Sequence, residues 1–279
     1  MNSCSIWADS ICNEEGYYIS THDTLGQGTI TEVTVSEGIE EIGDEAFNSS
    51  IALVRINLPS TLRKMGYAII MYCPKLTELN IPYGITSIGY GAFSDYFESS
   101  LETIEIPESV NEIKARAFEG RENLKTVKIS KNVTNIDSGA FERCNNLENI
   151  DIDENNKNYK SIDGILYSKD GTRLIFAFSK KTNITIPNSV TTIEERAFYW
   201  RTDLEQINIP DSVTSIGELA FCMCAALKNI TIPSSVKTME AYVFDGTITI
   251  NVPFKEGEKP EGWDDNWNAG AECTINYAK

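Results

Sequence analysis

His22 is the single histidine in the chain, so any serine–histidine or cysteine–histidine relay would hang on that one residue. The segment around it has the composition of a terminal cap, and a capping or surface role is expected of it. Cys222-Met-Cys224 is a lone Cys-x-Cys with no second pair and no histidine close in sequence, which is too few ligands for a tetrahedral thiolate site. Carboxylates are plentiful, and a glycosidase needs only two that face each other across a cleft. Yet Glu40-Glu41, Glu194-Glu195 and Asp264-Asp265 fall at turn or helix-start positions, where solvated acids are expected. Asp151-Ile152-Asp153-Glu154-Asn155 opens like a calcium loop, but Asn156 stands where its glycine belongs and Ile162 where its closing glutamate belongs. No phosphate-cradling glycine loop and no zinc signature is present in the sequence. With no constellation assembled, the expectation is a protein with no catalytic residues, cofactor or metal.

What the sequence does specify is a scaffold. An aliphatic-x-aliphatic-Pro-x-x-aliphatic-x-x-aliphatic phrase, followed by Ala-Phe, recurs down most of the chain. The pairs are Ala46-Phe47, Ala92-Phe93, Ala117-Phe118, Ala140-Phe141, Ala197-Phe198 and Ala220-Phe221, with worn versions at Ala68-Ile69 and Val243-Phe244. A period near 23 residues means a solenoid, in which each coil buries its apolar face only against its neighbours. Within a coil, Ile-x-Ile is a short strand with both aliphatics on one side. The proline after it cannot donate to a ladder and so turns the chain. The stretch around Ala-Phe has a helical composition. The fold expected is an α/β solenoid, with short parallel strands on one face and short helices or turns on the other.

Ile-Pro-Asp-Ser-Val-Thr-Ser-Ile-Gly at 209–217, Ile-Pro-Asn-Ser-Val-Thr-Thr-Ile at 186–193 and the Ala-Phe-x-x-Cys-x-x-Leu phrases at 140–147 and 220–227 resemble the BspA-like bacterial leucine-rich repeats. The resemblance covers about residues 33–250. Ser36, Ser130 and Asp153 depart from it at the proline position, and Ile69 at the phenylalanine position. It implies a right-handed superhelix, export to the cell surface or medium of a bacterium, and attachment to host or bacterial surface proteins or glycans.

One coil is longer than the rest. From Leu147 the next leucine position is taken by Lys181, and Asp170-Gly171 between two apolar runs is a favoured two-residue hairpin turn. A hairpin near residues 165–176 is expected, in a long coil near 147–181. The organisation expected is an N-terminal cap over 1–32, a solenoid of about nine coils over 33–250 and a C-terminal cap over 251–279.

The formal net charge of −17 argues against nucleic acid, whose phosphates need a basic stripe, and against anionic membrane surfaces. No apolar run approaches the ~18–20 residues of a membrane span, and the first residues have neither a basic start nor an apolar signal core. A monomer is expected. Of the seven cysteines, Cys73, Cys144 and Cys224 each stand three residues before the leucine that opens the next coil, so they pack as small apolar residues. Three coils at ~4.8 Å hold them roughly 14 Å apart, beyond the ~4.4–6.8 Å Cα spacing of a disulfide. Cys4 and Cys12 are the pair close enough in sequence to bridge within the N-terminal cap.

Function must then be written on the surface. The residues that point away from the core in each strand form a polar ladder, with Thr103, Thr126, Asn183 and Asn229 in it and the candidate recognition positions at Arg55, Asn57, Glu78, Asn80, Glu105, Lys128, Asn149 and Asp151, continued by Thr185, Gln206, Asn208 and Thr231. Its charges stop at Asp151. Strands that face water need polar, strand-tolerant residues in any case, and stacked Thr and Asn pair with themselves. A recognition surface uses the same positions. Three readings stay open: a non-enzymatic binding or adhesion module, a spacer or display stalk with no ligand, and a carbohydrate-active enzyme with converging carboxylates.

Overall fold

The computed structural model of the chain describes residues 31–95, 100–178 and 180–279. His22, Cys4, Cys12 and nearly all of the expected N-terminal cap lie outside the described residues. The molecule falls into two compact units, one up to Lys157 and one from Asn158.

In the first unit the strands are β1 (Glu32–Thr34), β2 (Glu41–Ile42), β3 (Arg55–Asn57), β4 (Lys64–Met65), β5 (Glu78–Leu79) and β6 (Ser87–Ile88). They are followed by β7 (Thr103–Ile106), β8 (Glu112–Ile113), β9 (Thr126–Ile129), β10 (Asn135–Ile136) and β11 (Asn149–Ile152). The odd-numbered strands are those expected from Ile-x-Ile. They pair in parallel, with Val33 beside Ile56 and Ile56 beside Leu79, then Ile104 beside Val127 and Val127 beside Ile150. The even-numbered strands are a second, unforeseen series. Each is two residues long and ends on the last aliphatic of the phrase, as at Ile113 beside Ile136. The proline carbonyl closes the turn between the two series, accepting from Leu62 at Pro59 and from Val110 at Pro107. The main ladder is broken once in this unit: β5 and β7 do not pair. The coil between them, from Leu76 to Leu101, is the 25-residue one.

The expected short helices are a correction. No helix occurs among the described residues, and the Ala-Phe segment is a pair of turns. The residue before each Ala-Phe is left-handed, with φ of 56° at Glu45, 59° at Arg116 and 57° at Arg196. A second left-handed residue follows four positions on, at Ser49, Gly120, Arg143, Trp200 and Met223. A right-handed helix cannot run through such residues. Its amide donors are also spent elsewhere: Glu45, Phe47 and Ser49 donate to Tyr67, Ile69 and Met71 of the next coil. Bonds between coils replace bonds along a helix.

These turns also correct the alignment of one coil. Ala68 has a φ of 50° and so holds the left-handed position, not that of the alanine. Ile69 accepts from Phe47 as Ala140 accepts from Phe118, and the fully buried Ile70 takes the phenylalanine position. Phenylalanines from successive coils stack at the centre, 5.5 Å between Phe93 and Phe118 and 5.4 Å between Phe118 and Phe141. Stacking of this kind adds about 0.5–1.5 kcal/mol per pair beyond area burial.

The second unit contains β12 (Tyr159–Ile162), β13 (Ile165–Ser168), β14 (Arg173–Ala177), β15 (Asn183–Thr185), β16 (Thr192–Ile193) and β17 (Gln206–Asn208). It ends with β18 (Ser215–Ile216), β19 (Asn229–Thr231), β20 (Thr238–Met239), β21 (Gly246–Asn251) and β22 (Ala271–Asn276). The expected hairpin is β13–β14, and β14 joins the second strand series beside β16. A further strand, β12, pairs antiparallel with β13. Its tight turn is Asp163-Gly164, with φ of 54° and 76° as a type I′ turn requires. Towards the C-terminus the Phe198, Phe221 and Phe244 stack closes on Trp267, edge-on at 6.1 Å, and Trp263 is 2% exposed.

Candidate functional site

A groove of about 880 Å³ runs across the first unit, where the main strands hand over to their turns. It follows from the coil pattern. In each coil the last outward strand residue, the proline position and the residue after it fall on one line, so their side chains stack from coil to coil. Asn80, Glu105, Lys128 and Asp151 supply the strand side of the lining. Pro82 and Pro107 line it at the proline position, with Ser130 and Asp153 in their place farther along. Glu37, Ser60, Tyr83 and Glu108 stand on the turn side. Tyr83 is 73% exposed, the largest value among the exposed large hydrophobic residues described.

Charge in and beside the groove is partly cancelled between coils. Lys128 lies 3.7 Å from Glu105, and Lys131, next to the groove, lies 2.9 Å from Glu108. That contact raises the Lys131 ammonium above its ordinary value. The carboxylate of Glu37 takes hydrogen bonds from both the amide and the hydroxyl of Ser60, each at 3.0 Å, and these hold it below the usual range. Asp151 is exposed and makes no ion pair among the described residues; Asp153 accepts from the Asn155 amide at 2.8 Å.

The ladder residues expected from the sequence thus divide. Asn80, Glu105, Lys128 and Asp151 come together in the groove, whereas Arg55, Asn57, Glu78 and Asn149 lie on the same strand face outside its lining. Arg55 is committed to Glu78 by two hydrogen bonds of 2.8 and 2.9 Å, which hold the Glu78 carboxyl below its ordinary value. Asn57 donates to Glu32 and Thr34. Thr185, Gln206, Asn208 and Thr231 belong to the second unit, where β15 pairs with β17 and Thr185 stands beside Asn208. Thr231 accepts from Asn251, which accepts in turn from Asn276 at 2.8 Å. Sequence reasoning missed the turn side of the groove. Its signal was present, because Ser60, Tyr83 and Glu108 each follow the repeat's proline directly.

Three of the described cysteines are turned inward, whereas Cys222 and Cys273 are partly exposed free thiols. Cys73, Cys144 and Cys224 are buried free thiols, and burial pushes each up to about 12. Each donates to a phenylalanine carbonyl of the preceding coil, at 3.2 Å to Phe47, 3.1 Å to Phe118 and 3.2 Å to Phe198. Arg121 occupies the same place in its own coil and is wholly buried. Its Nε donates to the Phe93 carbonyl at 2.7 Å, Nη2 to the Ile70 carbonyl at 3.2 Å, and Nη1 to the equally buried Asp95 at 3.0 Å. Among the described residues, no three histidine, cysteine, aspartate or glutamate side chains gather so as to hold a metal ion. No helix is long and apolar enough to cross a membrane.

Solved structures that share this architecture include two bacterial proteins. A leucine-rich repeat protein from Eubacterium ventriosum aligns over 97% of this chain and 94% of its own, with 22% identity and a TM-score of 0.63. The pneumococcal vaccine antigen PcpA aligns over 97% of this chain and 87% of its own, with 18% identity and a TM-score of 0.64. Both similarities are of fold. No curated protein matches the sequence. The family model for BspA-type leucine-rich-repeat regions matches in six copies, over residues 24–148, 96–165 and 172–257. With the stacked parallel strands and the recurring Ile-Pro-x-x-Val-x-x-Ile phrase, those matches place most of the chain in one family: it belongs to the BspA-type leucine-rich-repeat proteins.

Proposed function

We propose that the chain is a non-enzymatic binding module of a secreted or surface-exposed bacterial protein, acting as a monomer, and that it contacts another protein through the strand face of its first unit. The observation that carries this reading is the groove: three outward strand residues, Glu105, Lys128 and Asp151, and Asn80 just past its strand, converge there with the exposed Tyr83. Solenoids bind through such extended faces because neighbouring coils present side chains at fixed spacing. Surface location and attachment to a host or bacterial protein are the properties the family suggests.

A panel of extracellular-matrix and bacterial surface proteins, with glycans beside them, tests the reading. The wild-type chain is compared with the triple variant Glu105→Lys, Lys128→Glu, Asp151→Lys. A protein ligand whose binding falls at least about tenfold in the variant supports the assignment. Ligands indifferent to the variant move the contact surface elsewhere, and no ligand at all favours the spacer reading. One observation already speaks for that second reading: Arg55 and Glu78 satisfy each other across coils, as ladder charges would in a stalk that binds nothing.

A further inference from the structure

The groove also selects the kind of segment that fits it. From Glu37 to Asp153 its lining crosses five coil steps. At ~4.8 Å per step that is about 24 Å, the reach of about seven extended residues. Among the described residues β5 and β7 do not pair, and Tyr83 stands at the turn end of the β5 coil. An exposed aromatic ring thus stands beside the place where, among the described strands, the ladder passes from one sheet to the next.

Charge decides among occupants. Five carboxylates and one ammonium line the groove: Glu37, Glu105, Glu108, Asp151 and Asp153 against Lys128. Lys128 and the adjacent Lys131 offset Glu105 and Glu108. Glu37 is met by neutral donors of Ser60 and Thr61, and Asp151 and Asp153 make no ion pair among the described residues, with Lys131 acting on Asp153 only from beyond ion-pair distance. Acids without a close ion pair among the described residues thus stand at the two ends of the groove, with the aromatic ring between them. The chain's net charge of −17 steers basic segments towards it and acidic ones away.

We infer that the groove takes an extended segment of about seven residues, bearing arginine or lysine, from the protein partner. One basic side chain lies over Tyr83, where a guanidinium stacks on the ring face, and others meet Asp151 and Asp153 at one end and Glu37 at the other. This rests on the protein-binding reading above and adds the chemistry of the partner to it.

The test uses the full chain and two fluorescein-labelled eight-residue peptides, one alternating arginine with serine and one alternating glutamate with serine. Fluorescence anisotropy at low salt should show the arginine peptide binding and the glutamate peptide not. Asp151→Lys with Asp153→Lys should weaken the arginine peptide at least about tenfold, and Tyr83→Ala should weaken it several-fold. Lys128→Glu should tighten it, which damage to the fold would not do. Glu205→Lys, exposed in the second unit and outside the ladder, should leave it unchanged. Equal binding of the two peptides, no binding of the arginine peptide, or an Asp151/Asp153 variant that binds as well as wild type each overturns the inference. If the protein panel still yields a ligand sensitive to the triple variant, only the assigned chemistry of the segment is lost and the binding surface stands.

Discussion

The two units build the same coil and finish it with different chemistry. On the strand face of the first, ion pairs join coil to coil: Arg55 to Glu78 at 2.8 Å and Lys128 to Glu105 at 3.7 Å. On that of the second, amides and hydroxyls do so, Asn251 to Thr231 and Asn276 to Asn251. The interiors differ in the same sense. Position for position, Arg121 of the first unit lies wholly buried against a buried aspartate, whereas Arg201 of the second reaches the rim. Arg201 is 11% exposed and pairs with the half-exposed Asp203. Coil geometry asks only for strand-tolerant residues outside and a carbonyl partner inside. It leaves their charge open, and there the units have diverged.

The largest expected effect breaks this comparison inside the core. Burial works against the charged guanidinium of Arg121, and Asp95 opposes that cost. Arg121→Ala strands a buried carboxylate, and Asp95→Ala strands a buried guanidinium. Each should cost about 3–5 kcal/mol in denaturant unfolding. Arg201→Ala, which gives up long hydrogen bonds to the Ala177 and Lys181 carbonyls, should cost roughly 1 kcal/mol. Arg121→Cys with Asp95→Ser would restore the cysteine that other coils carry at this place, and should recover most of the loss. If Arg121→Ala proved no more harmful than Arg201→Ala, the buried pair would not distinguish the units.

Much of this was legible in the sequence because a solenoid is locally coded. Ile-x-Ile fixed the main strands, the fixed period fixed their register, and the long coil announced β13 and β14. What escaped was conformation that side-chain type does not reveal. Glu45, Arg116 and Arg196 are ordinary residues for a helix, yet they are left-handed because neighbouring coils claim their amides. Two-residue strands such as Glu112–Ile113 are too short to show alternation. Asp163-Gly164 carried as strong a turn signal as Asp170-Gly171, but no apolar run precedes it. The outward ladder residues were all identifiable from periodicity. Their grouping was not, because the groove depends on where turn residues such as Tyr83 stack against strand ends.

A smaller effect sharpens the contrast between the strand faces. Arg55→Ala removes a paired but solvent-exposed charge, so the melting temperature should fall slightly, and the deficit should shrink between about 0.05 M and about 1 M NaCl as ions screen the pair. Asn251→Ala in the second unit removes neutral hydrogen bonds, and its deficit should not respond to salt. Parallel salt responses for the two variants would mean that the charge on the first face contributes nothing of its own.

The smallest expected effect separates the units by acid. In the β13–β14 loop, the Asp170 carboxylate accepts from the Ser168 hydroxyl at 2.6 Å, the Thr172 amide at 3.0 Å and the Thr172 hydroxyl at 2.9 Å. Led by the Ser168 bond, these hold it down to about 2, against an ordinary 3.8. A carboxyl depressed on folding stabilises the folded form fully above its unfolded value, and that stabilisation is lost as pH falls through the folded one. The loop should therefore stay intact at pH 5 and loosen progressively between about pH 4 and pH 2. The Thr172 amide proton, followed by NMR, should report a midpoint near the lower end of that window. Asp170→Ala should abolish the titration while leaving the Arg55–Glu78 pair of the first unit untouched. An amide that titrated at the ordinary aspartate value instead would mean that the three hydrogen bonds do not favour the ionised form, and that the hairpin is closed by its apolar strands alone.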